Sequence, residues 1–428
     1  MNYLRGFSLN AVSTGLAFSL GFANQALLGR NLSPEDFGRL TLWTTTVMLG
    51  GLLFGEWLNR GSTYVVGKER ERTNVAHNTL VYVLGLGAFL LCTAAFSTEL
   101  QLPFLPRMSR VHWLLLAGLI FLSVVQKAGQ GIVLGEDRLK LYSLIPVVFI
   151  ASYLGGNVLV LKVWYSGLEG VLKVWLVAVG ITAVIVFAPL LKGVSPFKRM
   201  DRKTFARTLQ VGGRGAISTI LIFLLFRITY YLVQHFMGDA SVGVYRAAAI
   251  FADMMQRLPN IAGVVLLAKV VRGQDEDDTL SLKVAQGTLI FSLLGAAGIV
   301  VFGRELLDLV FAGKYQQAYI PLVWMLPGLI FSGFGSVFNV KLAGQGYPAV
   351  TLWAPGVALI VNVVLNWVLI PAMGLRGAAL STSVAYGLWS LLVMAYYQRQ
   401  TGLSWRAFLD VRWPGREAGH GSSNSSSS

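Results

Sequence analysis

The chain has 428 residues, of which 55% are hydrophobic and only 13% are charged, and its formal net charge is +15. Soluble domains carry about 25% charged residues, so this composition excludes an ordinary soluble protein and indicates a multi-pass membrane protein. With one cysteine, no disulfide can form within the chain, and the four scattered histidines show no metal-site spacing. No glycine-rich phosphate loop precedes a Lys-Ser/Thr pair, so nothing indicates ATP hydrolysis.

Twelve apolar stretches are each long enough to cross a bilayer, which takes about 20 residues in a helix. They lie at 8–28, 38–58, 77–97, 112–134, 141–161, 170–190, 210–235, 243–268, 281–302, 318–340, 350–370 and 377–397. We therefore predict an all-α polytopic membrane protein with twelve transmembrane helices.

Basic residues predict the orientation of these spans. With the N-terminus in the cytoplasm, the cytoplasmic loops and the tail hold 22 of the 35 Lys and Arg residues. This excess predicts that both termini are cytoplasmic, and it accounts for the positive net charge without a nucleic acid partner. The most basic loop, 191–207, would link an N-terminal half, 1–190, to a C-terminal half, 208–398. A cytoplasmic tail, 399–428, ends in a serine-rich segment typical of a flexible linker.

An internal repeat relates the two halves. The turn after the first span, 32–40, is similar to the turn after the seventh, 237–245, at an offset of 205 residues. A Gly-Leu-x-Gly motif opens the sixth span at 167–170 and the twelfth at 374–377, at an offset of 207. Six spans per half is an even number, so the halves have the same orientation. Such parallel repeats enclose a central cavity and can rock between inward-open and outward-open forms.

Several motifs in this order resemble the flippases for lipid-linked oligosaccharides of bacterial polysaccharide synthesis, often called Wzx-type, in the superfamily that also contains multidrug and toxin exporters. These motifs are LSPEDFGRL at 32–40, GDASVGVY at 238–245, ELL at 305–307 with FAGKY at 311–315, and Asn362 with LIP at 369–371 and GLRGAA at 374–379. The resemblance covers about residues 1–398. It implies a V-shaped pair of six-helix lobes around a cationic cavity.

The same resemblance implies a cargo and a compartment. A polyprenyl-pyrophosphate-linked oligosaccharide, such as an O-antigen precursor, would move from the cytoplasmic to the periplasmic leaflet of the bacterial inner membrane. Coupling to an H⁺ or Na⁺ gradient and association with a polysaccharide polymerase complex would fit that role, with no other cofactor. The related lipid II flippases usually have two further C-terminal helices, which this sequence does not contain.

Charged residues within the spans point to the same chemistry. An ionised side chain at mid-bilayer costs at least about 2.5–3.5 kcal/mol, so such residues usually face a protein interior or a water-filled path. Arginine suits phosphate oxygens because its guanidinium is a forked donor. The candidate substrate-binding residues are Arg227, Arg257, Arg214, Arg246, Lys127, Tyr230, Tyr231 and Gln234. We expect Arg227, rather than Arg214, to face the cavity, because the two lie about 220° apart around a straight helix.

Two acidic residues are candidates for ion coupling, Asp253 and Glu56. Asp253 shares a helix face with Arg246 and Arg257, and the four-residue spacing to Arg257 suits an ion pair. That pair is either structural or a switch, in which a proton or Na⁺ on Asp253 releases Arg257 to the phosphate. Arg246, near the outer end of its span, could instead extend toward the membrane surface. Glu56 lies either at the interface or on a proton path.

The sequence thus favours a flippase that performs no covalent chemistry. A cation-coupled multidrug exporter of the same fold would need carboxylates in the cavity, where arginines predominate here. A membrane-bound glycan polymerase or ligase would need a long outer loop, and none is predicted. A scaffold without transport activity is a further alternative. On this interpretation, replacing Arg227 or Arg257 by alanine abolishes glycan export.

Overall fold

A computed structural model gives the fold and describes residues 3–96, 109–188, 200–270 and 278–409; these contain no β-strand. The helices are α1 Tyr3–Asn31, α2 Pro34–Glu69, α3 Arg72–Phe96, α4 Arg110–Gly135, α5 Leu139–Lys162, α6 Gly167–Phe187, α7 Arg202–Met237, α8 Asp239–Met255, α9 Arg257–Val270, α10 Thr279–Phe311, α11 Tyr319–Gly344, α12 Val350–Met373, α13 Leu375–Thr401 and α14 Trp405–Leu409. A short 3-10 turn, Gln316–Ala318, precedes α11.

The prediction of an all-helical membrane protein is confirmed. Over their described residues, nine helices are long and apolar enough to cross a membrane. The remaining three predicted spans fall on α1, on α2 and on the consecutive helices α8 and α9, so the exact count of twelve stays a prediction. Most of the predicted basic linker, at 191–199, and most of the tail, at 410–428, lie outside the described residues.

The predicted span 243–268 is divided at Gln256 into the consecutive helices α8 and α9. Pro259 lies in the first turn of α9, where its missing N–H interrupts no helical hydrogen bond. The side-chain amide of Gln256 donates to the carbonyl oxygen of Leu329 at 3.1 Å and to Ser332 Oγ at 2.6 Å. These bonds tie the interruption to α11.

The residues of the turn at 32–40 form the beginning of α2. Ser33 is the N-cap, and its hydroxyl accepts a hydrogen bond from the backbone N–H of Asp36 at 3.0 Å. Pro34 occupies the first helical position. The negative charges of Glu35 and Asp36, in the first turn, interact favourably with the positive end of the helix dipole. α2 then runs for 36 residues, about 54 Å, which exceeds the thickness of the hydrocarbon core.

α2 joins the two halves at its N-terminal end, through the two repeated turns. Following the predicted orientation, we call this end of α2 the outer end and its C-terminal end the inner end. A Cβ on Gly38 would lie 1.8 Å from the carbonyl oxygen of Asp239, and a Cβ on Gly243 would lie 2.1 Å from that of Pro34. The contact is reciprocal at the repeat offset of 205, since Pro34 corresponds to Asp239 and Gly38 to Gly243. Glycine at both positions lets the two helix starts touch backbone to backbone.

Hydrogen bonds from three basic side chains reinforce this outer contact. Arg39 Nε donates to Asp239 Oδ2 at 3.0 Å. Arg30, at the end of α1, donates from Nε to the carbonyl oxygen of Val310 in the last turn of α10 at 2.8 Å. Lys314 donates in turn to the carbonyl oxygen of Arg30 at 2.5 Å. Arg30 and Lys314 therefore each cap the carboxyl end of a helix from the other half.

At its inner end α2 crosses α7 in a second close contact. A Cβ on Gly61 would lie 2.1 Å from the carbonyl oxygen of Thr208, and a Cβ on Gly212 would lie 2.0 Å from that of Trp57. Arg60 reaches across to the second half, with Nη2 donating to Thr219 Oγ1 at 2.8 Å and Nη1 donating to the hydroxyl of Tyr347 at 2.6 Å. The halves thus meet at both ends of α2.

We expect a larger residue at Gly212 to open the inner end, because no side chain fits against the carbonyl of Trp57. Gly213 is the matched control, since a Cβ there meets nothing within 4 Å. The reporter is Gln126→Cys in a Cys92→Ser background, labelled with a membrane-impermeant maleimide in inside-out vesicles. Gly212→Leu should raise the labelling rate several-fold and Gly213→Leu should leave it unchanged.

Both proteins must still insert and run as single species on size-exclusion chromatography. Equal labelling of properly inserted Gly212→Leu and Gly213→Leu proteins would show that the contact between α2 and α7 does not close the inner end.

Candidate functional site

The main cavity has a volume of about 340 Å³ and lies against the inner face of the first half. Small-molecule sites typically measure about 300–1,000 Å³. Eighteen of its 21 lining residues come from α1, α2, α4, α5 and α6. Among the residues that the structure describes, the second half contributes Arg227, Tyr230 and Arg246 to the lining. Within this described lining, the two arginines are the ionisable side chains other than tyrosines.

Four residues of α7 and α8, which we name the arginine cluster, are joined by hydrogen bonds: Arg227, Tyr230, Arg246 and Asp253. Arg227 Nη2 donates to both carboxylate oxygens of Asp253, at 3.0 and 3.1 Å. Arg246 Nη1 donates to Asp253 Oδ2 at 2.9 Å. The hydroxyl of Tyr230 accepts from Arg227 Nη1 at 2.9 Å and from Arg246 Nη1 at 3.2 Å. Asp253 and Tyr230 together hold the two guanidinium groups side by side.

Helix geometry explains why these residues meet. Arg227 and Tyr230 are three apart on α7, and Arg246 and Asp253 are seven apart on α8, so each pair shares one face. The side chains of Arg227, Arg246 and Asp253 are 22%, 16% and 32% exposed. Charges buried to this extent need partners. One carboxylate against two guanidinium groups leaves the cluster with a net charge of +1.

The cluster keeps donors free toward the cavity. Among the described residues, Nε and Nη2 of Arg246 and Nε of Arg227 have no hydrogen-bond partner. Nε and Nη2 form one edge of the guanidinium fork, the edge that binds two oxygens of a phosphate or carboxylate together. Arg246 lines both the main cavity and a second, smaller one. The arrangement can therefore bind an anion without first breaking its own ion pairs.

The second cavity, of about 150 Å³, lies between α1 and α8 and shares Gly21, Gln25 and Arg246 with the main cavity. Arg257 lines it, with its guanidinium 5.1 Å from the ring centroid of Phe18. The ion pair expected between Asp253 and Arg257 does not form, because the chain turns at Gln256 and Asp253 pairs with Arg227 and Arg246 instead.

Three other candidates lie away from the two cavities. The hydroxyl of Tyr231 forms a hydrogen bond with Thr46 Oγ1 at 2.8 Å, which links α7 to α2. Gln234 is half-buried further along α7, and Arg214 is exposed near the inner end of α7. Neither lines the main or the second cavity. Their assignment to substrate binding stays a prediction.

Lys127 and Glu56 form a separate ionic group. Glu56 is buried, at 8% exposure, rather than at an open interface. Its Oε2 accepts from Lys127 Nζ at 2.9 Å and its Oε1 accepts from Arg60 Nε at 2.9 Å. Lys127 is therefore neutralised by Glu56 in this state of the protein and lies outside the main cavity. Arg60 also binds Thr219 and Tyr347 and thereby links this ionic group to the inner contact. The sequence analysis did not identify this role.

Sequence analysis also missed the polar residues of the first half. Asn24 and Gln25 line the main cavity from α1, and Asn157 on α5 donates to Asn24 Oδ1 at 2.9 Å. In the sequence they appear as neighbouring amides inside the apolar span 8–28. They carry no charge and were therefore not among the candidate residues. Among the described residues, no group of three or more His, Cys, Asp or Glu could hold a metal ion.

Two curated relatives are similar to this chain. One, named "Putative O-antigen transporter", from Shigella flexneri, is 23% identical over 91% of this chain and 95% of its own length. The other, a "Probable low-salt glycan biosynthesis flippase" from Haloferax volcanii, is 19% identical over 66% of this chain. That alignment spans 60% of the archaeal protein, which is less than two thirds of its length.

Two solved structures share the fold. A lipid II flippase in an inward closed conformation superposes with a TM-score of 0.77 at 14% identity, covering 94% of this chain and 89% of that one. An inward-facing multidrug resistance transporter of the MATE family superposes with a TM-score of 0.73 at 16% identity, covering 92% of this chain and 98% of that one. At such identities the likeness shows the fold alone.

A family model described as polysaccharide biosynthesis protein matches residues 3–267. This match covers more than half of the chain, and nine of the described helices have the length and apolarity of membrane spans. The protein is therefore a multi-pass membrane protein of the polysaccharide biosynthesis protein family.

Proposed function

We propose that this protein is a flippase that moves a polyprenyl-pyrophosphate-linked oligosaccharide from the cytoplasmic to the periplasmic leaflet of a bacterial inner membrane, with both termini in the cytoplasm. The observation that carries the proposal is the free guanidinium edge of Arg246, held beside Arg227 in the wall of the main cavity. The names of both curated relatives and the family match support a role in glycan transport.

Electrostatics favour an anionic headgroup. A pyrophosphate carries at least two negative charges, and two unit charges 4 Å apart interact by about 4 kcal/mol at an effective dielectric constant of 20. Asp253 lowers the net charge of the cluster but holds both guanidinium groups in place before the headgroup arrives. Fixed donors lose little orientational freedom on binding, which favours affinity.

The second cavity supports a route for the lipid. It lies between α1 and α8 and is lined by Phe18, Phe22, Ile250 and Met254 together with Arg257. A polyprenyl tail can stay in the bilayer beside these apolar side chains while the headgroup enters the main cavity. Arg257 would meet the phosphates on this route, before Arg246 and Arg227 bind them.

Transport requires the two contacts of α2 to open in turn. Rocking of the halves would expose the main cavity first to the cytoplasm and then to the periplasm, with no covalent step. A proton or Na⁺ on Asp253 is a way to couple this motion to an ion gradient, since it would release Arg227 and Arg246 from their shared partner. Glu56 could act similarly on Lys127 and Arg60. A polysaccharide polymerase complex would receive the cargo.

A cation-coupled multidrug exporter remains the second candidate, because the MATE fold is shared. Such a protein needs an unpaired carboxylate in its cavity. Here the carboxylate of Asp253 is bound by two arginines, which makes this candidate the weaker one. A glycan polymerase or ligase and a scaffold without transport activity are further alternatives, which transport assays on purified protein would separate.

Arg227→Ala and Arg246→Ala are each expected to lower glycan export by at least about tenfold, because truncating one partner of a buried charge pair costs 2–5 kcal/mol. The measurement is surface glycan in a strain that depends on this protein. Arg304→Ala is the control: Arg304 is exposed on α10 and lies over Tyr319, 5.0 Å from its ring centroid. Export at the normal level by both cluster variants, with normal insertion, would contradict the proposed site.

Asp253→Asn separates the flippase from the drug exporter. The substitution removes one negative charge from the cluster, so the affinity of purified protein for a polyprenyl pyrophosphate should rise or stay level. A cation-coupled exporter would instead lose its cation site and the drug resistance that it confers on a sensitised host. Drug resistance conferred by the wild type and lost in Asp253→Asn would favour the exporter.

A further inference from the structure

The wall of the main cavity that faces the arginine cluster carries no charge. It is built from amides, hydroxyls and aromatic rings of four helices of the first half. We name this surface the amide wall: Asn24, Gln25, Ser123, Gln126, Phe149, Tyr153 and Trp175. Its chemistry differs from that of the arginine cluster, so the two sides of one cavity suit two parts of one ligand.

Unused hydrogen-bonding groups are the main feature of the amide wall. The side chains of Gln25 on α1 and of Ser123 and Gln126 on α4 line the cavity and have no hydrogen-bond partner among the described residues. Asn24 is oriented by Asn157, whose amide donates to Asn24 Oδ1 at 2.9 Å. A glutamine side chain offers two donors and an acceptor, and a serine hydroxyl offers both functions. These half-buried groups line the cavity without a protein partner and are available to hydrogen-bond a polar ligand.

Aromatic rings lie directly beside these groups. Phe149 and Tyr153 stack with ring centroids 5.8 Å apart and an interplanar angle of 25°, and Trp175 lies 6.5 Å from Tyr153. Ordered rings supply a flat apolar surface. A sugar ring has matching properties, since its faces carry C–H groups and its edge carries hydroxyls that both donate and accept. A site of mostly apolar surface with a few placed polar groups fixes the orientation of such a ligand.

We propose that the amide wall binds the first sugar of the glycan, the one attached to the pyrophosphate. The proposal rests on the proposed function, because the arginine cluster holds the phosphates on the opposite side of the same cavity. The absence of ionised groups from the amide wall favours an uncharged sugar, such as a hexose or an N-acetylhexosamine. A cavity of about 340 Å³ is near the lower limit of small-molecule sites, which suits a single sugar rather than a long glycan.

Two lipids distinguish the amide wall from the arginine cluster. One probe is a polyprenyl pyrophosphate without sugar, and the other is the same lipid carrying a single N-acetylhexosamine. Binding of each to purified full-length protein is measured by fluorescence quenching or microscale thermophoresis. The wild type should bind the glycosylated lipid more tightly than the bare one.

The variant is Ser123→Ala with Gln126→Leu, which removes a hydroxyl and an amide of α4 that line the main cavity but not the second one, with little change in volume. It should weaken binding of the glycosylated lipid by about tenfold, since each lost hydrogen bond contributes about 0.5–1.5 kcal/mol. Its affinity for the bare lipid should be unchanged, which also shows that the protein is folded. Gln130→Leu, one turn further along α4 and outside the main cavity, is the matched control and should bind both lipids normally.

The contrary outcomes are distinct. Equal loss of affinity for both lipids, or no loss for either, overturns the sugar site while leaving the phosphate site in place. If the wild type binds neither lipid, the proposed function fails and the sugar site fails with it. Should the double variant not fold, Ser123→Ala and Gln126→Asn are measured in the same way, and an unchanged preference for the glycosylated lipid in both overturns the proposal.

Discussion

The structure depends on one carboxylate that holds two guanidinium groups inside a membrane protein. Without Asp253, Arg227 and Arg246 would lie together as two like charges in a poorly solvated interior, an arrangement that costs several kcal/mol. With it, the cluster carries a net charge of +1, and one edge of Arg246 remains free to bind a ligand. The same pairing explains how α7 and α8, which carry these residues, are fixed relative to the cavity.

Helix α2 belongs to the first half of the chain and contacts the second half, which carries the arginine cluster. Glycines at both ends of α2 allow backbone contacts with the second half, at Gly38 and Gly243 on the outer side and at Gly61 and Gly212 on the inner side. Between these contacts the inner face of α2 contributes Thr41 and Thr44 to the main cavity. Under the proposed mechanism the two contacts would open in turn and keep the polar headgroup out of hydrocarbon, where unpaired polar groups cost several kcal/mol each.

Sequence patterns predicted the all-helical membrane fold, and the two repeated turns that they identified lie in contact. The length of an apolar stretch and the spacing of charged residues can each be read from a short segment of the sequence. The chain turns at Gln256, between Asp253 and Arg257, and the ion pair that their four-residue spacing suggested does not form. Spacing along one helix favoured that pair, whereas the actual partner Arg227 comes from another helix. Neither the ion pair of Glu56 with Lys127 nor the amide wall could be predicted, since each brings together residues that lie far apart in the chain.

The central claim is that the paired guanidinium groups bind the pyrophosphate of a lipid. The most direct measurement is a structure of the purified protein, determined by electron cryomicroscopy, with a polyprenyl pyrophosphate bound. We predict phosphate oxygens within hydrogen-bonding distance of Arg246 Nε and Nη2, with Arg227 beside them and Asp253 still in contact with both. A headgroup bound elsewhere, with the free edge of Arg246 facing water or protein alone, would contradict the account.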